Sequence, residues 1–140
     1  DFPRLPPRPP NLLNPSIAMP PHILTIDDEE CILQIVKEYL ELNDFRVTAA
    51  STPRAALDVV ERDPPDLVIT DLQLPESDGL ELIPLIQQRI PKVPIILLTG
   101  VHFDAETIDQ NLSHKVSDYL NKTAPLSTLL EKVNAHLARA

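Results

Sequence analysis

Five residues that can bind phosphate or a divalent cation each follow a short apolar run in this chain. Asp27 and Asp28 come after HILTI, and Asp71 comes after DLVIT. Thr99 follows VPIILL, and Lys122 follows SDYLN. Because the carboxyl ends of parallel strands converge at one edge of a sheet, where ligands bind, the pattern predicts one site with three carboxylates, one hydroxyl and one ammonium.

The chemistry that these side chains favour is phosphoryl transfer aided by a hard cation. Carboxylates held together raise one another's pKa, and a divalent cation removes that penalty. Oxygen ligands with room for water suit Mg²⁺. One carboxylate can then attack phosphorus, while the cation, Lys122 and Thr99 neutralise the phosphoryl oxygens. A simpler alternative, that Asp27 and Asp28 only cap the next helix, leaves the other strand ends unexplained.

The composition indicates one folded domain, since 43% of the 140 residues are apolar. A net charge of −9 and a pI of about 4.7 disfavour direct binding to nucleic acid and suit cations or basic protein partners. With two glycines, the chain has no glycine-rich phosphate loop, and no Cys and His cluster has zinc spacing.

The sequence predicts a cytoplasmic protein. No stretch reaches the roughly 20 consecutive apolar residues of a membrane-spanning helix, and the N-terminus lacks the basic and apolar regions of a secretory signal. The single cysteine, Cys31, cannot form an intramolecular disulfide, which favours a reducing compartment. Because Cys31 lies in an apolar helical pattern, we expect it to be a buried core thiol.

The first 21 residues differ from the rest because they hold 8 of the 16 prolines. Proline fixes φ and lacks a backbone donor, so residues 1–21 are predicted to be a flexible, polyproline-like extension. Arg4, Pro7 and Pro10 fit the R-x-x-P-x-x-P spacing that proline-binding modules read, although such short patterns often arise from composition alone. Residues 22–140 are predicted to form the folded domain.

From residue 22 onward, strand and helix patterns alternate, and the third and fourth strands are continuously apolar. This predicts an α/β fold, a doubly wound five-stranded parallel sheet with helices on both faces. Thr52 followed by Pro53 is typical of a helix start, and Pro84 is expected to kink its helix or delay its start. The strands are predicted at 22–26, 45–49, 66–70, 93–99 and 117–121, and the helices at 29–42, 53–62, 79–90, 104–114 and 126–139.

Four motifs together resemble the receiver domains of two-component response regulators. They are ILTIDDE, DLVITDLQLPESDGLEL, VPIILLTG and SDYLNK, and the resemblance extends over about residues 21–140. It implies a flavodoxin-like or CheY-like three-layer sandwich. It also implies a phosphorylation-dependent switch whose phosphoryl donor is a histidine kinase or a histidine phosphotransfer protein.

By this resemblance, Asp71 is the phosphoacceptor and shares a Mg²⁺ ion with nearby oxygens. Asp28 would hold the ion, Asp27 would do so partly through water, and the backbone carbonyl of Gln73 would complete the protein's share of the coordination. The resemblance implies no turnover of an external substrate. The domain would catalyse only its own phosphorylation and dephosphorylation.

The resemblance gives a switching role to three residues. Thr99 would move to bond the phosphoryl group, Lys122 would pair with that group, and Tyr119 would turn inward when the threonine moves. The switch would alter binding to an output partner, which the sequence does not identify. The last two predicted helices would supply the faces of a homodimer, should one form.

Three departures from the family pattern lie in the second half of the domain. Thr123 follows Lys122 where the family usually has proline, so we expect a trans bond or a remodelled loop there, since a cis bond would cost about 2.5–4 kcal/mol. Lys115 and Val116 replace the usual Gly-Ala, and the stretch between the threonine and the lysine is slightly longer than usual. The half that carries the output surface therefore differs from the family more than the catalytic half does.

Two other functions remain open at the level of sequence. A constitutive protein-interaction module would keep the receiver fold without switching, and the Lys122 loop and the proline-rich extension motivate this alternative. A Mg²⁺-dependent phosphohydrolase with an aspartyl nucleophile would need a second aspartate two residues after the first. Gln73 occupies that position, which argues against hydrolase chemistry.

Overall fold

Strands and helices alternate along the chain in the computed structural model, which describes residues 20–71, 79–100 and 116–138. The five strands of these ranges are β1 (His22–Ile26), β2 (Arg46–Ala50), β3 (Leu67–Asp71), β4 (Ile95–Thr99) and β5 (Asp118–Asn121). The four helices are α1 (Glu30–Leu42), α2 (Pro53–Arg62), α3 (Gly79–Arg89) and α4 (Leu126–Ala138).

All five strands are parallel, in the order β2-β1-β3-β4-β5. The prediction of a doubly wound parallel sheet is therefore confirmed. From β1 the chain first moves to one side of the sheet and then crosses to β3 on the other side. Ligands bind in open α/β sheets at such a reversal, outside the carboxyl ends of the strands.

Within the described ranges, two helices pack on each face of the sheet. On one face, Val59 of α2 and Ile86 of α3 are buried in a cluster with Leu97 of β4. On the other face, Val36 of α1 and Val133 of α4 belong to a second buried cluster. The central strands β1 and β3 are buried at every position, as expected for strands covered on both sides. Their ends are therefore rigidly supported.

The start of α2 follows from local chemistry. The Thr52 hydroxyl accepts a hydrogen bond from the backbone N–H of Ala55 at 3.1 Å, and Pro53 is the first helical residue. A cap of this kind stabilises a helix by about 1 kcal/mol, and the predicted start is confirmed. In α3, Pro84 lies inside a helix that begins at Gly79, so the proline does not delay its start.

The prediction of a buried thiol at Cys31 is wrong, because this residue is exposed. The buried stripe of α1 consists of Leu33, Val36 and Leu40. At about 100° per residue, Cys31 lies about 200° around the helix from Leu33. The helix was predicted correctly, but the side of it that faces the core was not.

The ends of the elements differ slightly from the predicted ones. Strands β2, β3 and β5 begin one residue later than predicted, and β4 begins two residues later. The predicted helix at 104–114 lies outside the described residues, as does the predicted extension apart from its last two residues. Within the described ranges, no helix combines the length and apolarity needed to cross a bilayer.

Candidate functional site at the carboxyl edge of the sheet

The strand ends bring Asp27, Asp28, Asp71 and Lys122 together at one edge of the sheet. Asp71 is the last residue of β3, and Lys122 directly follows β5. Asp27 directly follows β1, where its backbone N–H donates to the carbonyl of Ala50 at 3.2 Å and prolongs the β1–β2 ladder. Strand β3 therefore positions Asp71, the β1–β2 ladder positions Asp27, and β5 leads directly into Lys122.

The other predicted site residues are described only in part. Thr99 ends β4 and pairs with Asn121 of β5, but its side chain lies outside the described part of the structure, as does all of Gln73. Tyr119 pairs with Leu97 and is half-buried. It packs against the apolar cluster beneath α2 and α3.

Three carboxylates form a group that can hold a cation. One oxygen from each of Asp27, Asp28 and Asp71 lies within 4.8 Å of the other two. Asp27 and Asp71 are only 1% and 4% exposed, whereas Asp28 is exposed. The exposed carboxylate keeps the group open to solvent, which suits a cation that retains several waters.

One carboxylate oxygen of Asp27, Oδ2, is buried without a hydrogen bond, although it lies 2.9 Å from Lys122 Nζ in an ion pair. The ammonium directs its hydrogen bond to Oδ1 instead, at 3.2 Å. Oδ2 therefore has an electrostatic partner but no hydrogen bond, and a carboxylate oxygen of this kind can also act as a cation ligand. The donor set, which is made of carboxylate oxygens, fits Mg²⁺.

Lys122 is the cationic residue of the site. Its Nζ donates to Asp71 Oδ2 at 2.9 Å and to Glu29 Oε1 at 2.7 Å, in addition to Asp27. The side chain is 13% exposed. An ammonium has three N–H donors, so the three carboxylates use all of them.

Burial and pairing have opposite effects on the pKa values of this group. Burial raises the pKa of Asp27, and this effect exceeds the lowering by the backbone N–H of Glu29 and by Lys122. Burial would lower the pKa of Lys122, but its hydrogen bonds to Glu29, Asp71 and Asp27 outweigh burial and raise that pKa above its ordinary value. Lys122 is therefore a permanent cation among a larger number of acidic groups.

A turn fixed by Asn121 carries Lys122. The Asn121 Oδ1 accepts hydrogen bonds from the backbone N–H of Thr123 at 2.8 Å and from the Thr123 hydroxyl at 2.7 Å. The backbone carbonyl of Asn121 also accepts from the N–H of Ala124 at 2.9 Å. No cis peptide bond occurs in the described ranges, so the predicted trans bond between Lys122 and Thr123 is confirmed.

Glu29 and Asn121 are the site residues that the sequence analysis missed. For Asn121 a signal was available, because an Asn side chain often accepts from the backbone N–H two residues later and so favours turns. For Glu29 the sequence gives only its position next to the aspartate pair. Its contact with Lys122 requires knowledge of how the first and last strands face each other.

Most of this chain is similar to response regulators of known sequence. A family model described as the response regulator receiver domain matches residues 23–134. The response regulator MprA of Mycolicibacterium vanbaalenii is 33% identical over 121 residues, which cover 86% of this chain and 52% of that protein. The chain thus spans about half of the length of this relative.

Two solved structures share the fold. A response regulator receiver domain protein from Clostridium thermocellum is 30% identical, with a TM-score of 0.77 and coverage of 85% of this chain and 95% of that one. A CheY-like response regulator receiver domain protein from Methanospirillum hungatei JF-1 is 28% identical, with a TM-score of 0.79 and coverage of 86% and 95%. The similarity therefore extends over nearly the whole length of both proteins.

Proposed function

This chain belongs to the response regulator receiver domain family, and we propose on that basis that it is a phosphorylation-dependent switch with Asp71 as its phosphoacceptor. The placement of Asp71 carries the proposal. Its carboxylate is buried at the carboxyl edge of the sheet, 2.9 Å from the Lys122 ammonium and beside two further aspartates. The family acts in signalling rather than in the turnover of an external substrate.

In the proposed reaction, a carboxylate oxygen of Asp71 attacks the phosphorus of a phosphohistidine. The donor is a histidine kinase or a histidine phosphotransfer protein. A P–O bond forms and the P–N bond breaks, and the imidazole nitrogen keeps that electron pair and takes up a proton from solvent. Lys122 lies within hydrogen-bonding distance of Asp71, which supports a role for its charge in neutralising the phosphoryl oxygens.

Asp27, Asp28 and Asp71 are the residues that would hold Mg²⁺, together with the backbone carbonyl of Gln73. When bound, the ion neutralises the carboxylates and the phosphoryl oxygens. The unbonded Oδ2 of Asp27 and the exposed carboxylate of Asp28 support this assignment. Water would reverse the modification by attacking the phosphorus, so that the P–O bond to Asp71 breaks, inorganic phosphate leaves and Asp71 regains its carboxylate.

Thr99 and Tyr119 are proposed to transmit the change. Thr99 ends β4 beside β5, and it would bond the phosphoryl group from there. Tyr119 lies half-buried on β5 against the α2–α3 face, a position from which its ring can move inward or outward. The altered surface would change the affinity for an output partner.

Residues 22–140 would form this receiver unit, and residues 1–21 would be an extension of it.

The test is a titration of the Mg²⁺-loaded protein with beryllofluoride, a mimic of an aspartyl phosphate, followed by amide NMR. Asp71→Asn is the control, because it keeps the size of the side chain and lacks the nucleophilic carboxylate. We expect saturable shifts at Asp71 that extend to Thr99 and Tyr119, and no such shifts in the control.

Other outcomes would contradict separate parts of the proposal. Shifts confined to the acidic group would support phosphorylation but contradict switching, and would favour a constitutive interaction module. The absence of binding would contradict the receiver mechanism as a whole.

A further inference from the structure

Glu29 contacts the site lysine from outside the group of cation ligands. Its Oε1 lies 2.7 Å from Lys122 Nζ, which is the shortest of the three ion pairs that this ammonium makes in the described structure. Glu29 is 60% exposed, so the pair lies at the mouth of the site. We propose that Glu29 competes with the phosphoryl group for Lys122 and thereby weakens phosphoryl binding. This inference rests on the proposed function.

The competition follows from the number of donors on Lys122. Its three N–H groups are directed at Asp27, Asp71 and Glu29, so a phosphoryl oxygen can be bonded only if one carboxylate is released. Asp27 and Asp71 belong to the group whose charge a cation would offset, and Glu29 does not. The ion pair between Glu29 and Lys122 is therefore the one that a bound cation does not weaken.

The backbone holds Glu29 at this position. Its N–H donates to Asp27 Oδ1 at 3.0 Å, which fixes the residue immediately before α1. Its side chain makes no capping hydrogen bond to that helix, and its carboxylate accepts a hydrogen bond from Lys122 instead. A negative charge at the mouth also repels an anionic ligand on its way in. Removal of that charge should favour phosphoryl binding for both reasons.

The test is the dissociation constant of beryllofluoride for the wild type, Glu29→Gln and Glu30→Gln, each saturated with Mg²⁺. Glutamine keeps the length of the side chain and removes the charge. Glu30→Gln is the matched control, since it removes the same charge one residue away, in the first turn of α1. We expect Glu29→Gln to bind about three- to tenfold more tightly than the wild type, on the scale of an exposed ion pair with its charge repulsion.

A competing ion pair also predicts a dependence on salt. The advantage of Glu29→Gln over Glu30→Gln should shrink at high ionic strength, because exposed charges are screened. A purely structural effect of the substitution would persist. Thermal unfolding of both variants shows whether the fold is intact, which the exposure of Glu29 leads us to expect.

Two results would overturn the inference. One is beryllofluoride binding by Glu29→Gln that is no tighter than that of Glu30→Gln. The other is a structure of the wild-type complex with Mg²⁺ and beryllofluoride in which Glu29 and Lys122 stay paired at 2.7 Å, rather than separating beyond about 4 Å. A wild type that does not bind beryllofluoride would instead contradict the proposed function, on which the inference rests.

Discussion

At the scale of single residues, burial and cation binding favour different charge states of Asp27. Burial favours the neutral carboxyl group, whereas a cation binds the carboxylate. The residue is 1% exposed, and one of its oxygens accepts no hydrogen bond. Burial raises its pKa. Ionisation of Asp27 is therefore less favourable in the folded protein than in the unfolded chain, in an arrangement that suits a cation.

We predict that Asp27→Asn increases the free energy of unfolding at pH 7 without Mg²⁺, on the order of 1 kcal/mol. The folded pKa lies above the ordinary value of 3.8, so the folded protein holds this proton more tightly than the unfolded chain does. The contribution of Asp27 to the stability of the wild type should therefore decrease as the pH rises from 3.8 through the folded pKa. Asparagine does not titrate, so the difference between variant and wild type should grow over this range.

Urea unfolding of both proteins from acidic to neutral pH measures this difference. Asp28→Asn is the control, since it removes a neighbouring carboxylate that is exposed. A difference between Asp27→Asn and the wild type that stays constant with pH would contradict the prediction.

At the scale of elements, the turn after β5 decides where the ammonium of Lys122 lies. Asn121 joins the end of the strand to this turn through two side-chain hydrogen bonds to Thr123. The strand alone fixes the backbone only as far as Asn121. The position of Lys122 therefore depends on a local hydrogen-bonded turn.

We predict that Asn121→Ala weakens beryllofluoride binding about three- to tenfold and lowers stability by about 1 kcal/mol, because it removes the acceptor for Thr123. Asn121→Asp should restore much of the binding, since aspartate offers an acceptor in the same place. Asn43→Ala is the matched control. Asn43 donates to the carbonyl of Tyr39 at the far end of α1, so its loss should reduce stability without changing binding.

The measurements are ligand titration and thermal unfolding of all three variants. Binding that weakens equally in Asn121→Ala and Asn43→Ala would show a general loss of stability rather than a loss of positioning.

Local sequence patterns predicted the strands and helices well, but they predicted the contacts between these elements poorly. The central strands were predictable because continuous apolar runs suit strands covered on both faces, and Thr52 marked the start of α2 through its own side chain. Cys31 was misplaced because an apolar pattern does not by itself fix which side of a helix faces the core. The contact between Glu29 and Lys122 joins residues 93 apart, and it depends on how two loops face each other across the sheet.

At the scale of the whole molecule, the net charge of −9 means that any added salt reduces self-repulsion. Stabilisation by Mg²⁺ binding at one site therefore has to be distinguished from stabilisation by screening of the net charge. A ligand that binds only the folded state stabilises it by about 2.7 kcal/mol at 100 times its dissociation constant. General screening shows no such saturation at a single site.

We predict that Mg²⁺ raises the thermal unfolding temperature along a saturable curve, whereas NaCl at the same ionic strength produces a smaller and gradual rise. In Asp27→Asn the saturable part should shrink strongly, because one of the three carboxylate ligands is lost. Thermal unfolding with both salts measures the effect. Identical curves for the two salts would contradict a specific cation site.

The residues that Lys122 contacts are synthesised well before Lys122 itself. Lys122 bonds to Asp27, 95 residues before it, and to Asp71, 51 residues before it. Chains are synthesised from the N-terminus, so both aspartates are synthesised before their ammonium partner. The strand β5 that delivers Lys122 lies at the edge of the sheet and is only partly buried. The last strand of the sheet therefore also brings the ammonium that pairs with Asp27 and Asp71.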